Sequence, residues 1–135
     1  NESNAKTIKN HKARKLKELQ LKRIKSIKAG QGLKDLPKNI RPKSGYSGAY
    51  GRLDYENVAP TITRWVFHPG SGRYGHPSDD RLITMREAAR IQSFSDDFIF
   101  EGTYNEIAGQ IGNAVPPLLM SSLSKGIDEC LSIVS

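Results

Sequence analysis

A single cysteine in 135 residues excludes an internal disulfide and suits a reducing cytosol. Histidine is nearly as scarce. The three present, His11, His68 and His76, lack metal-ligand spacing, and with one thiol they exclude a zinc site. Long apolar runs are missing too. None approaches the roughly 20 residues that span a bilayer. The first residues are polar and basic, unlike the apolar segment of a secretory leader. Hydrophobic residues make up 36% and mean hydropathy is −0.56, so a modest core and one domain, or a piece of one, are expected. Acid is also short: 14 Asp and Glu stand against 21 Lys and Arg, a net charge of +7.

That charge is unevenly placed. Residues 1–28 hold ten Lys and Arg against Glu2 and Glu18, a local charge of +8, which leaves −1 for the rest. Such a segment suits a polyanion, most simply a nucleic-acid backbone, or forms a solvated helix face. Residues 6–28 contain neither Pro nor Gly. Leu16, Leu19, Ile24 and Ile27 make an imperfect apolar stripe, which predicts one amphipathic helix ending at Ala29-Gly30.

From residue 30 to 83 the composition changes to Gly, Pro, Ser and aromatics. Gly30, Gly32, Pro37, Pro42, Gly45, Gly48 and Gly51 interrupt any long helix. The clearest strand candidate is residues 61–67, β-branched and aromatic, with Arg81-Leu82-Ile83 as a second short one. Residues 84–135 carry helix signals. Thr84 with Glu87 and Thr103 with Glu106 are capping boxes, and Pro116-Pro117 opens a helix with Leu119, Leu123, Ile127 and Leu131 at four-residue spacing. The expected fold is α+β. It has a small irregular mixed region with short strands (30–83), flanked by an N-terminal basic helical arm (1–29) and a C-terminal helical segment (84–135).

Two blocks carry the most information. One is Thr84-Met85-Arg86-Glu87-Ala88-Ala89-Arg90-Ile91-Gln92-Ser93-Phe94. The other is Gln110-Ile111-Gly112-Asn113-Ala114-Val115-Pro116-Pro117. In this order and spacing they resemble the last two motifs of the DNA cytosine-5 methyltransferases. Tyr50-Gly51-Arg52-Leu53-Asp54-Tyr55 and Ala59-Pro60-Thr61-Ile62-Thr63 resemble the family's target-recognition region, with a weaker echo at residues 32–37. The likeness runs from about Ile24 to Ile127. The family usually has proline after the aromatic at Phe94, where this chain has Ser95.

By this resemblance, Gly112, Asn113, Ala114 and Val115 line part of an S-adenosylmethionine pocket, whose ligand carboxylate backbone amides would meet. On local pattern alone, the same residues read as a plain helix–turn–helix with Gly112 as C-cap. Thr61, with its aliphatic neighbour Ile62, would sit near the backbone of a flipped nucleotide. Arg52 is a candidate base reader, since arginine bonds O6 and N7 of guanine together. Arg64, Arg73, Tyr74 and His76 would surround the DNA cleft as phosphate or base contacts. Each is otherwise an ordinary surface residue. Arg86 and Arg90, four apart on one helix, are expected to hold the recognition region in place through carbonyls or carboxylates, the alternative being phosphate contact.

The chemistry of the family resides in motifs that precede these. The Gly-rich cofactor loop and the Pro-Cys nucleophile are absent from the sequence. Glu56-Asn57-Val58 spells the catalytic tripeptide, but the recognition motif follows it immediately, so the match reads as coincidence. Cys130 follows Glu129 and reads as packing. No catalytic residue is therefore assigned, and the chain alone is expected to be inactive. The resemblance implies the C-terminal portion, or small subunit, of a cytoplasmic bacterial-type enzyme. Its partners would be duplex DNA and a catalytic N-terminal half or large subunit, with S-adenosylmethionine shared between them and no membrane involved. The stripe at Leu119, Leu123, Ile127 and Leu131 would be the domain or subunit interface. The competing reading is a stand-alone basic DNA- or RNA-binding module, which leaves the 110–117 block without a role. A structural interaction protein leaves the Arg- and aromatic-bearing loops unexplained.

Overall fold

In the computed structural model, residues 8–45 and 47–134 are described. Among the described residues four helices succeed one another: α1 (Glu18–Lys25), α2 (Met85–Ile91), α3 (Tyr104–Asn113) and α4 (Pro117–Val134). Single 3₁₀ turns occupy Leu33–Asp35 and Pro69–Ser71. No helix among the described residues is long and apolar enough to cross a membrane.

Helix α1 is shorter than its composition predicts. The part of the basic segment up to residue 7, with Lys6, lies outside the described residues, and residues 8–17 are irregular. Their main chain is engaged elsewhere. The carbonyls of Lys9 and Asn10 accept bonds from Arg86, at 3.1 Å each. The Asn10 side chain donates to the Phe100 carbonyl (3.0 Å) and accepts from the Phe100 amide (3.2 Å). Repulsion among like charges also weakens a helix there. It begins at Glu18, the first acid among the described residues, paired with Lys22 at 2.9 Å. At the other end the chain leaves the helix before Gly30, because the carbonyls of Ile24 and Ile27 accept from Arg52 (3.0–3.2 Å). These are the groups a helix end leaves without intrahelical donors.

The expected short strands do not form, which corrects the α+β class: among the described residues there is no sheet. Three stretches touch only through isolated bridges, Arg52 with Gly75 and Gly75 with Leu82. Residues 61–63 form no strand, and 64–67 form a turn closed by Val66 N–H to Thr63 C=O (3.0 Å). The buried residues here are Ile62, Val66 and Phe67. That spacing does not alternate, so the segment has no single apolar face to lay on a sheet.

Helices α2 and α3 pack on each other, and both put residues into the core, Ala88 and Ala89 from one and Ala108 and Ile111 from the other, with the three alanines small enough to allow close approach. Both capping boxes form. Thr84 accepts from the Glu87 amide (3.1 Å) while Glu87 accepts from the Thr84 amide (2.7 Å), and Thr103 with Glu106 repeats this. Ile24, Leu53, Ile62, Val66, Tyr74 and Leu82 join the same core, so the irregular middle segment and the helical segment share it. Phe94, Phe98 and Phe100 close one side, with ring centres 4.8–5.1 Å apart. Ser95, at the usual proline position, turns the chain by accepting from the Asp97 amide (3.3 Å).

Helix α4 leaves this body. Leu118 N–H donates to the Ser93 hydroxyl (3.1 Å) at its start. Beyond that, the apolar stripe lies open, with Leu119, Leu123, Ile127 and Leu131 50–61% exposed.

Candidate functional site

Two clefts flank the Pro60-Thr61 segment. The first, about 530 Å³, is walled by Gly30, Gly32, Gly51 and Gly72 and by Thr61, Thr63, Arg73 and Tyr74. Glycine is required at two of these positions by close approach. A Cβ on Gly72 would stand 2.3–2.9 Å from the Tyr74 ring, and one on Gly51 would stand 2.8 Å from Arg73 Cγ. Tyr74 is buried. Its hydroxyl donates to the Thr61 carbonyl (2.9 Å) and lies 3.2 Å from the Thr63 hydroxyl, so it fixes the 61–63 segment.

Of the residues expected to meet DNA, the structure brings Thr61, Arg73 and Tyr74 onto this cleft. Thr61 is exposed at its lip. The Arg73 stem lies on Gly51, Nη2 donates to the Val58 carbonyl (3.2 Å), and Nε has no acceptor. Ile62 faces the core. Arg64 is exposed and lies over the Trp65 ring, 5.2 Å from its centre.

Arg52 is placed differently. It is 4% exposed, and every guanidinium nitrogen is engaged. Nε donates to the carbonyls of Ile24 and Ile27, Nη2 to that of Ile24, Nη1 to those of His76 and Asp79, and Nη2 also to the Asp80 carboxylate. No donor remains for a base edge. It joins the end of α1 to the 76–80 loop, and nothing in local sequence announces partners 24–28 residues away.

His76 also turns inward. Its Nδ1 accepts from the amides of Asp79 (3.0 Å) and Ser78 (3.3 Å), and Nε2 lies 3.8 Å from Glu87. Burial lowers its pKa, the Arg81 charge adds to this, and Asp79 and Glu87 oppose it. Glu87 is the hub of this corner and was given only a capping role by sequence. It caps α2 and takes both arms of Arg81, at 2.7 and 2.8 Å. Burial alone would raise its pKa. The bonds from Arg81 and the Thr84 amide, with the Arg81 charge, outweigh it and bring the carboxyl down to about 2. The Arg81–Glu87 pair was the available signal, one charge at the strand-like end and one in the first turn of the helix.

Arg86 is fully buried and donates to the carbonyls of Lys9 (3.1 Å), Ser95 (3.0 Å) and Phe98 (2.7 Å). Arg90 pairs with Asp96 through two bonds of 2.6 and 2.7 Å at the surface. Glu56, Asn57 and Val58 lie in an exposed loop where Asp54 accepts from the Glu56 amide (3.2 Å) and the Asn57 side chain (2.6 Å). Cys130 is exposed on α4.

The second cleft, about 400 Å³, is lined by Ala59, Pro60, Thr61, Ile62, Ile91, Gln92, Gly112, Ala114 and Pro116. It therefore gathers part of both C-terminal motifs against the middle segment. Gly112 lies in the last turn of α3, and its missing side chain admits the 63–64 main chain. A Cβ there would stand 2.2 Å from the Arg64 nitrogen and 2.3 Å from the Thr63 carbonyl carbon. Gln92, unassigned by sequence, donates to the Ile111 carbonyl (3.1 Å) on the same wall. Asn113 and Val115 are exposed beside it. Pro60 and Thr61 line both clefts, so one two-residue segment separates them.

A family model described as C-5 cytosine-specific DNA methylase matches residues 1–129. The chain belongs to that family. It is 38% identical, over 90% of its length, to the type II methylase M.HgiDII of Herpetosiphon aurantiacus, and spans 37% of that relative. It is 37% identical to DNA (cytosine-5)-methyltransferase 3 of Arabidopsis thaliana, of which it spans 10%. The type II methyltransferase M.AquIB of Picosynechococcus is 35% identical over 92% of this chain and 90% of that relative.

Proposed function

We propose that this chain provides DNA target recognition and part of the S-adenosylmethionine pocket for a cytoplasmic DNA (cytosine-5-)-methyltransferase. It would act as that enzyme's C-terminal portion or small subunit, with a catalytic N-terminal half or large subunit methylating cytosine in duplex DNA. The observation that carries this is the shared wall. A reader of DNA and a methyl donor must lie side by side at a flipped base, and Pro60-Thr61 stands between a glycine-walled cleft bearing Arg73 and the cleft of the C-terminal motifs. The near-complete match to a short type II methyltransferase, beside partial matches to longer ones, agrees with either form.

In this reading Thr61 and Arg73 contact DNA, with Tyr74 fixing the lip and Arg64 beside it. Ile91, Gln92, Ala114 and Pro116 form one wall for the cofactor, and the Gly112–Val115 turn presents main chain to it. S-adenosylmethionine supplies the methyl group when bound. The nucleophile and the acid come from the catalytic half. The residues here fit part of the cofactor, since the second cleft is open and combines apolar walls with one amide side chain.

The test is labelled methyl transfer from S-adenosylmethionine to duplex DNA, with the chain alone and mixed with a protein carrying the earlier motifs. Transfer only in the mixture supports the proposal. Transfer by the chain alone overturns the assignment of chemistry to a partner. DNA binding without transfer in either, and without response to the cofactor, favours the stand-alone binding module.

A further inference from the structure

Gln31 lines the first cleft with Thr61, Arg73 and Tyr74, and no motif assigns it a role. It stands between two glycines. A Cβ on Gly30 would meet the Asp54 carboxylate at 3.0 Å, and one on Gly32 would meet the Ser47 carbonyl oxygen at 3.3 Å. Gln31 is the single side chain of residues 30–32, in a wall of bare main chain that a ligand edge can approach closely.

Its orientation is fixed from three directions. The Gln31 amide donates to the Lys28 carbonyl (3.1 Å), and the Gln31 carbonyl accepts from the Arg52 amide (2.9 Å). The side-chain Oε1 accepts from the Lys28 amide (2.8 Å). That last bond decides which end of the side-chain amide is which, because one N–H cannot accept from another. Oε1 is committed to the turn. Nε2 keeps two hydrogens and meets no acceptor among the described residues. Unlike Arg73 Nε, it is not a buried orphan: the residue is half-buried and Nε2 is open to solvent, so a ligand can reach it. Arg52, expected to read a base, thus has a different part in the cleft. Its guanidinium is a strut, and its main chain holds Gln31.

A directed amino group without a free acceptor beside it selects keto oxygens. In the major groove guanine presents O6 and thymine O4, whereas adenine presents the N6 amine and cytosine the N4 amine. Those amines would face Nε2 donor to donor. The two-bond contact of glutamine with adenine needs the side-chain oxygen for N6, and here that oxygen is held by Lys28.

We propose that Gln31 is a specificity-determining residue that reads one keto base, guanine or thymine, through Nε2 in the major groove. The bond from Lys28 makes it a donor-only reader. The proposal rests on the reading that this cleft recognises a DNA target.

The experiment is selection from a randomised duplex pool by the full chain, mixed with a protein carrying the earlier motifs. Wild type is compared with Gln31→Glu and Gln31→Ala, each with its melting temperature. Glutamate keeps an oxygen for the Lys28 amide and puts a second acceptor where Nε2 stood. That turn bond is exposed, so neither variant should unfold the chain. One position on one strand should favour guanine or thymine in wild type by about threefold to tenfold, as one hydrogen bond provides. Gln31→Glu should turn the same position toward adenine and cytosine, and Gln31→Ala should flatten it, with the other positions kept. A merely structural role would weaken all positions together and would not invert one. Gln31→Glu that keeps the wild-type preference, or lowers every position alike, overturns the proposal and leaves target recognition standing. So does a position that depends on Gln31 but favours adenine or cytosine in wild type. Wild type that selects no sequence removes both.

Discussion

Two glycines three residues apart on α3 allow a sharp test of how the clefts are built. Gly109 and Gly112 are both helical, so replacing either by alanine should gain about 1 kcal/mol from helix propensity alone. Their surroundings differ. Nothing lies within 4 Å of a Cβ on Gly109, whereas one on Gly112 meets the main chain of Thr63 and Arg64 at 2.2–2.3 Å. Carbon and nitrogen at van der Waals contact stand about 3.5 Å apart, so the overlap exceeds 1 Å. Backbone cannot yield as a side-chain tip can, and overpacking of this kind costs about 1–3 kcal/mol or more.

Gly109→Ala should therefore be neutral to stabilising by about 1 kcal/mol, and Gly112→Ala destabilising by about 2 kcal/mol after the propensity gain is subtracted. The pair differs by roughly 3 kcal/mol for one chemical change on one helix. Urea unfolding followed by circular dichroism at 222 nm measures both. Equal or greater stability of Gly112→Ala would refute the docking of the 63–64 chain on α3, and with it the shared wall. If the docking is right, the alanine also pushes Thr63 away from Tyr74 and should weaken DNA and cofactor binding together.

Acid should destabilise the fold through His76 and Glu87 together. Both have folded-state pKa values below their unfolded ones, so the unfolded chain binds more protons as pH falls. The Glu87 contribution, about 3 kcal/mol for a shift from 4.5 to about 2, is full above pH 4.5 and is lost between those values. Glu87→Gln should flatten that window in melts recorded against pH. Arg52→Ala should cost about 3–5 kcal/mol, because it leaves buried carbonyls without donors, and a melt lowered by less than 1 kcal/mol would contradict its structural placement. Arg73→Ala should leave stability within about 0.5 kcal/mol. Selection from a randomised duplex pool should show about tenfold or greater loss of preference at one base pair, and an unchanged preferred sequence would remove Arg73 from base reading. Leu119→Glu with Leu123→Glu on α4 should leave the melt unchanged, because both are open to solvent, yet abolish complementation by a catalytic partner.

What was legible in the sequence was local. Thr84 with Glu87 and Thr103 with Glu106 act across three residues, so their helices start where the pattern says. Pro117 opens α4 for the same reason. The failures concern groups whose partners are distant. The basic helix is truncated because Arg86 and Phe100 engage the chain at residues 9 and 10, some 77–90 positions away. The 61–67 segment has strand composition but no strand, because its carbonyl at Thr61 bonds a tyrosine hydroxyl and its apolar residues do not alternate. Of the site, the C-terminal block was visible as a motif. The packing reason for Gly112 was not, since it depends on a loop 48 positions earlier.

Loops without a sheet still have main-chain groups to satisfy, and here arginine satisfies many of them. Arg23 donates to the Ile40 carbonyl (2.8 Å), and Arg41 to those of Lys34 (2.6 Å) and Leu36 (2.7 Å). Arg52 and Arg86 reach eight residues between them, seven through main-chain carbonyls and Asp80 through its carboxylate. Arg81 and Arg90 pair with carboxylates. Six of the nine arginines are therefore struts, and net charge overstates the surface open to a polyanion. The remaining three are Arg14 and Arg64, each over an aromatic ring, and Arg73, held by one carbonyl. Side-chain struts have a consequence that a ladder of strands does not. They anchor loop ends at points and leave the intervening residues free to differ, which suits the target recognition proposed for this surface.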